Sequence, residues 1–314
     1  MVDLFHDDPI DQPLTYPGRV PDTSGVLIDD RFLPLEVIDG KSGEDWVTEL
    51  DGSPIRLAVL MERFRSEPLS GRVPVVAVGS NAAPSQMLRK FVRCSVRPVV
   101  PMTLADVHGI VPGVSAHVSV PGYVPAVPVE APGNTSQLFV LWLDDAQVRA
   151  LDATEPNYTR RILSAERFPV DLVSGVRIAP CFVYVGKHGY LVNTVGQPRP
   201  LLNQTVLISQ LLDESAGLRA LCGETPDDFV ARAQDVAVRN AVHQLFFAEK
   251  RAQAQPGLQS LRSALSGVIR TSAERADGSV SARSLMPLPA QMEPASILGE
   301  ITLQLAIALA SLEE

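Results

Sequence analysis

Two regimes of hydrophobic patterning meet near Pro198-Arg199-Pro200. From Pro74 onward, short β-branched runs alternate with Gly, Pro and Asn, the pattern of an antiparallel sheet or small barrel. Strands are predicted at 75–78, 114–120, 124–129, 137–143, 158–163, 178–185 and 190–193, with turns at Pro132-Gly133-Asn134 and at Gly186-Lys187-His188-Gly189. Prolines 121, 125 and 128 place edge strands or bulges there, because proline cannot donate to a ladder. Beyond residue 200 the apolar spacing becomes helical over 203–212, 226–250, 257–269 and 294–312, with a linker near 271–291. The last of these is apolar around much of its circumference and calls for packing against the protein or a partner.

Upstream of Pro74 the signals are sparser. Residues 1–34 are rich in Pro and Asp without a sustained period, so they read as a surface wrap. A strand is predicted at 32–38, followed by an Asp39-Gly40 turn. Ser53 as N-cap and Pro54 at the first helical position then predict a helix whose stripe is Ile55, Val59, Leu60 and Phe64. The resulting organisation is a 1–72 extension, a 73–198 core and a mainly helical 199–314 region.

Two stretches of the core carry candidate chemistry. The run 137–143 ends at Asp144, an N-cap for a short helix with Val148 and Leu151 on one face, and Pro156 stops that helix. Glu155 therefore sits at a helix C-terminus, where the macrodipole disfavours a carboxylate and favours the proton-carrying form that a proton-shuttling Glu uses. The alternative is a surface Glu paired with Arg160 or Arg161. Earlier, Gly79-Ser80-Asn81 joins a strand to a helix carrying Met87, Leu88 and Phe91, so successive backbone N–H groups and a helix N-terminus offer a seat for a carboxylate. An ordinary strand-to-helix turn would have the same sequence.

Composition narrows the classes. The 314 residues are 46% hydrophobic, enough for a substantial core, and 27 basic against 36 acidic residues give a net charge of −9. That balance argues against a general nucleic-acid or anionic-membrane surface. Cys94, Cys181 and Cys222 lack disulfide or zinc spacing and read as small buried hydrophobes. The N-terminus has no secretory pattern and no apolar stretch reaches about 18 residues. The expected location is cytoplasmic, and the scarcity of Lys among the basic residues (41, 90, 187 and 250) hints at a GC-rich bacterial genome.

The Val78-Gly79-Ser80-Asn81-Ala82 loop, followed about 70 residues later by Leu151-Asp152-x-x-Glu155 and then Tyr158-x-Arg160, is similar to the gamma-glutamylcyclotransferase family. That family shows Tyr-Gly-Ser-Asn-Leu near its start, then Leu-Asp-x-x-Glu and an aromatic strand. The resemblance spans 73–198 and implies an α+β fold, a small mixed β-barrel with flanking helices. It implies that Val78, Gly79, Ser80, Asn81 and Ala82 hold the glutamyl part of a substrate through backbone amides, that Tyr158 lines the pocket and that Glu155 is the acid/base. The reaction implied is attack of a γ-glutamyl amide's own α-amine on its side-chain carbonyl, giving 5-oxoproline and an amine, with no metal or organic cofactor. Val78 departs from the family's aromatic loop residue and alters the pocket wall.

The rival readings are a serine hydrolase using Ser80 with His108, His117 or His188, which lacks a Gly-x-Ser-x-Gly elbow, and a non-catalytic module on the same fold that binds a small ligand or recruits a partner. The expected ligand is a small γ-glutamyl molecule, without nucleic acid, membrane or metal. The C-terminal helices are the expected surface for a homo-oligomer or protein partner.

Overall fold

A computed structural model describes residues 3–263. Its sheet is built on β-strand alternation. In β5 (Val73–Ala77), Val75 and Ala77 face one side and Val76 the other. β7 (Ala126–Leu143) sends Phe139, Leu141 and Leu143 to the first side and Val140 and Trp142 to the second, and β10 (Cys181–Gly186) splits Phe182 and Tyr184 from Val183 and Val185 in the same way. A strand with apolar residues on both faces must be covered on both, and each face has its own core.

The remaining strands are β1 (Gly25–Ile28), β2 (Arg31–Glu36), β3 (Val47–Leu50), β4 (Ser53–Arg56), β6 (Val99–Val114), β8 (Tyr158–Leu163) and β9 (Val170–Leu172), with a separate pair β11 (Tyr190–Leu191) and β12 (Ala252–Gln253). The order across the large sheet is β4-β3-β2-β1-β6-β7-β5-β10-β8, with β9 on β6. Every pairing is antiparallel except that of β5 with β10. The sheet is mixed, as expected, but it is not a closed barrel: its path ends at β4 and at β8, which do not pair with each other.

Helices α2 (Pro84–Arg93) and α3 (Asp145–Thr154) cover the face that contains Met87, Phe91, Val148 and Leu151. The other face packs α1 (Leu57–Arg63) around Trp46, Leu57, Leu60 and Met61. Beyond the sheet, α4 (Gln204–Glu214), α5 (Ala216–Cys222), α6 (Pro226–Arg232), α7 (Val236–Ala248) and α8 (Pro256–Gln259) follow, and Leu207, Leu211, Leu218, Phe229 and Phe246 join Val114, Val118 and Leu191 in a third core. Three predicted features, the end of the 257–269 helix, the 271–291 linker and the 294–312 helix, lie outside the described residues. No described helix is long and apolar enough to cross a membrane.

Several expectations are corrected. Ser53-Pro54 does not start a helix; it belongs to β4. Asp51 and Gly52 both take positive φ (52° and 79°), closing a two-residue hairpin that pairs Leu50 with Ser53, and the helix begins only at Leu57. The 1–72 segment thus contributes four strands where one was expected. The predicted strands at 124–129 and 137–143 are one strand, β7, and Pro132-Gly133-Asn134 is an exposed bend inside it, beside the irregularity between His108 and Ile110 on β6. Pro128 sits opposite Pro112, an arrangement that requires a non-hydrogen-bonded pair, since neither residue has an N–H to exchange. The 114–120 run supplies only the end of β6. The predicted 226–250 helix is two, α6 and α7, and α5 was not anticipated. Cys181 and Cys222 are buried but Cys94 is half-exposed, and all three are free thiols.

Candidate functional site

After β5 the chain passes Val78 and Gly79 into a single 3-10 turn, Ser80–Ala82, and Pro84 then opens α2. Gly79 is required by crowding. A Cβ there would lie 2.6 Å from the Tyr16 hydroxyl and 2.7 Å from the Ala126 methyl carbon, closer than real Cβ contacts allow. Two turn amides are already used, Ala82 N–H on Gly79 O at 2.9 Å and Ala83 N–H on Ser80 O at 3.0 Å.

From the other side comes α3. A complete capping box fixes its start, with the Asp144 side chain accepting from Gln147 N at 2.9 Å and the Gln147 side chain accepting from Asp144 N at 3.1 Å. Its end is Glu155, which leaves helical geometry at φ −116°, ψ 56°, ahead of Pro156. Leu151 is fully buried, and Asp152 ties the helix to two strands: it accepts both Arg160 Nε (3.0 Å) and Nη2 (2.9 Å) from β8 and the Tyr184 hydroxyl (2.7 Å) from β10. The Leu-Asp of the motif is thus core residue and clamp, and the clamp aims Glu155.

Neither Arg160 nor Arg161 pairs with Glu155. Arg161 donates to Leu261 O and Ser263 Oγ. The partner is Lys90 on α2, whose Nζ is 2.6 Å from Glu155 Oε1 and 2.6 Å from Asn81 Oδ1, while Asn81 Nδ2 donates to the same Oε1 at 3.0 Å. Both ionic side chains are 12% exposed. The macrodipole at the helix end opposes a negative charge, but the adjacent ammonium attracts it over a much shorter distance in a poorly solvated place. Glu155 Oε2 has no protein partner among the described residues.

This triangle borders a cavity of about 40 Å³. Val78, Gly79, Ser80, Asn81, Glu155 and Tyr158 all line it; Ala82 does not, being buried behind the turn. Tyr16, Tyr184, Ala126 and Pro128 also line it, and none of the four was anticipated as a site residue. Tyr158 donates to Ala126 O at 2.7 Å. Its phenol is held well above the ordinary value, first by burial and then by Tyr16 and Glu155, so it stays a neutral donor. Lys90 carries one retrospective signal. A chain with four lysines among 27 basic residues places one where a compact point charge, rather than a planar fork, fits between an amide and a carboxylate.

Lys90→Met is expected to leave the fold intact and to free the Glu155 side chain, which loses its shortest contact and keeps Asn81 Nδ2 on Oε1. A crystal structure of the variant alongside a denaturation curve would check this; a Glu155 side chain held in its parent position would rule out the tethering role.

The three histidines of the hydrolase reading are committed elsewhere. His108 lies between Asp171 (3.1 Å) and Thr135 (3.0 Å) at a separate surface hollow, His188 meets Asn157 Oδ1 at 3.1 Å, and His117 Nδ1 meets Ser115 Oγ at 2.7 Å. None of the three has a hydrogen bond to Ser80 among the described residues. Among those residues no group of three His, Cys, Asp or Glu is placed to hold a metal ion. Burial, then the neighbouring His188 and His243 rings, pulls the His117 imidazole down to about 3. The unfolded chain therefore binds a proton there below the ordinary 6.5 that the folded chain refuses. Stability from this site is complete above pH 6.5 and is lost as pH falls toward 3, by about 2 kcal/mol between pH 6.5 and 5. Urea midpoints at the two pH values should separate in the parent chain and converge in His117→Gln.

No family model matches the sequence, and no curated protein matches it. Two solved structures do align. One is an uncharacterized protein from Homo sapiens, at 14% identity and a TM-score of 0.32, and the other a gamma-glutamyl cyclotransferase, at 13% and 0.30; each alignment covers 55% of this chain and 98% of the other. Likenesses of that strength leave the site to be read from its own geometry.

Proposed function

We propose that the chain is a cyclotransferase acting on a γ-glutamyl amide or peptide, with Glu155 as acid/base. The observation that carries this is a carboxylate anchored through one oxygen by Lys90 and Asn81, with no partner on the other oxygen among the described residues, on the wall of a cavity it shares with a glycine-led turn. The narrow cavity suits a compact acyl end, with the departing amine outside.

The chemistry needs few parts. An α-ammonium with pKa about 8 must lose a proton before its nitrogen can attack the side-chain carbonyl carbon, and the departing nitrogen must gain one. Two protons leave the α-nitrogen overall and two arrive on the leaving amine; Glu155 relays one and water exchanges the other. The new C–N bond closes the ring as the old one breaks. The attack is intramolecular in the free substrate as well, so the protein's share is the part of the roughly 7–11 kcal/mol proximity effect that comes from holding the chain folded in the near-attack pose.

The test is 5-oxoproline release, followed by mass spectrometry, from a panel of γ-glutamyl amides and peptides. Release of 5-oxoproline with stoichiometric amine supports the reading. The close Lys90–Glu155 pair favours one second reading, a ligand-binding module in which the carboxylate only shapes the pocket. Thermal stabilisation by a panel member without turnover would select it.

A further inference from the structure

We infer that Tyr16, from the segment ahead of β1, donates the hydrogen bond that stabilises the carbonyl oxygen under attack. This rests on the cyclotransferase reading and adds to it a residue outside the 73–198 core.

The segment expected to wrap the surface instead enters the site. Tyr16 is 4% exposed and lines the cavity. Its hydroxyl oxygen accepts the Ala126 N–H at 2.8 Å and faces the Ser80 backbone, and it lies against the turn so closely that no Cβ fits on Gly79. It thus occupies part of the amide cradle expected to bind the substrate directly. The ring is held from several sides. It stacks on Tyr123 with centroids 4.2 Å apart, and Asp8 of the same segment accepts from Gln86 at 3.1 Å and pairs with Arg89 at 3.2 Å on α2.

What distinguishes Tyr16 is its proton. Of the three tyrosines lining the cavity, Tyr158 donates to Ala126 O and Tyr184 to Asp152, whereas Tyr16 only accepts; no described residue takes its O–H. Burial, then Tyr123, pushes its pKa well above the usual phenol value, so the proton is retained at any working pH. An amide donating to the oxygen polarises the O–H and strengthens its own donation. As the α-amine nitrogen bonds to the carbonyl carbon, the C=O π pair moves onto oxygen and meets that O–H. When the pair returns, the bond to the leaving nitrogen breaks. The aromatic wall missing at Val78 is supplied by this ring from a distant part of the chain.

The experiment compares steady-state kinetics of the full chain, Tyr16→Phe, and the chain with 3-fluorotyrosine at position 16. Loss of one oxyanion donor should lower kcat about 10²-fold in Tyr16→Phe with KM within about threefold. An unchanged kcat with raised KM, or faster turnover, overturns the inference, the first indicating ground-state anchoring and the second a plug. Should Tyr16→Phe fail to fold, the fluorinated chain decides: it keeps ring and oxygen but changes donor acidity, so kcat should shift while KM stays, and an unchanged kcat overturns the role. A parent chain active with normal Tyr16→Phe kinetics defeats this inference alone. An inactive parent defeats the cyclotransferase reading, and this role with it.

Discussion

Glu155→Gln is expected to abolish most turnover, by roughly 10²–10⁴-fold, the range associated with a positioned general acid/base. The amide is nearly isosteric and keeps an oxygen for Lys90 and Asn81, so the triangle at Oε1 can persist while proton transfer at Oε2 is lost. The change should therefore appear in kcat with KM close to the parent. Neutralising Glu155 relieves the helix-end opposition but removes the counter-charge of the poorly solvated Lys90 ammonium, so some loss of stability is expected alongside it. Rates of 5-oxoproline release within threefold of the parent would remove Glu155 from the chemistry.

The largest expected loss of stability comes from Arg72, immediately before β5. Its guanidinium is buried and donates to Glu67 O (2.8 Å), Val99 O (3.1 Å), Trp142 O (2.9 Å) and Gln147 Oε1 (3.0 Å), with Asp144 at 3.9 Å. One side chain thereby joins the start of β6, the end of β7 and the capping box of α3. Burial lowers the guanidinium to about 10, and Asp144 and Glu67 work in the opposite direction, so the group remains charged at neutral pH. Arg72→Met removes those donors and leaves buried carbonyls and a less compensated Asp144, for which about 3–5 kcal/mol is expected. Urea denaturation would read this directly; a loss under about 1 kcal/mol would mean that water replaces the guanidinium.

What the sequence disclosed and what it hid divide by distance along the chain. α3 was legible because its signals are local: Asp144 and Gln147 are three residues apart and Pro156 stands just past the end. β8 matched its predicted bounds for the same reason, a β-branched and aromatic run after a proline stop. The β3–β4 hairpin was misread because two local signals overlap, Asp51-Gly52 for a turn and Ser53-Pro54 for a helix start, and sheet pairing decided between them. Of β6 only its last residue, Val114, fell in a predicted strand; no strand was expected over 99–113, a stretch whose Gly109 and Pro112 the structure accommodates by a bulge and a proline pair. In the site, the loop and Glu155 announced themselves through motif spacing. Lys90 and Tyr16 did not, because their partners are 65 and 110 residues away, and no periodicity reports such a contact.

The Asp152 clamp bears on how such chains are found by pattern. Of the three residues that make Leu-Asp-x-x-Glu recognisable, Leu151 is held by packing and Asp152 by its three hydrogen bonds to Arg160 and Tyr184. Two thirds of the signature is therefore architecture. A descendant that exchanged Glu155 for a neutral residue would still need both, would fold the same way, and would match the pattern at all but one position. Under the proposed function, the third letter after the Leu-Asp, together with a lysine one helix away, carries the information about chemistry that the rest of the pattern lacks.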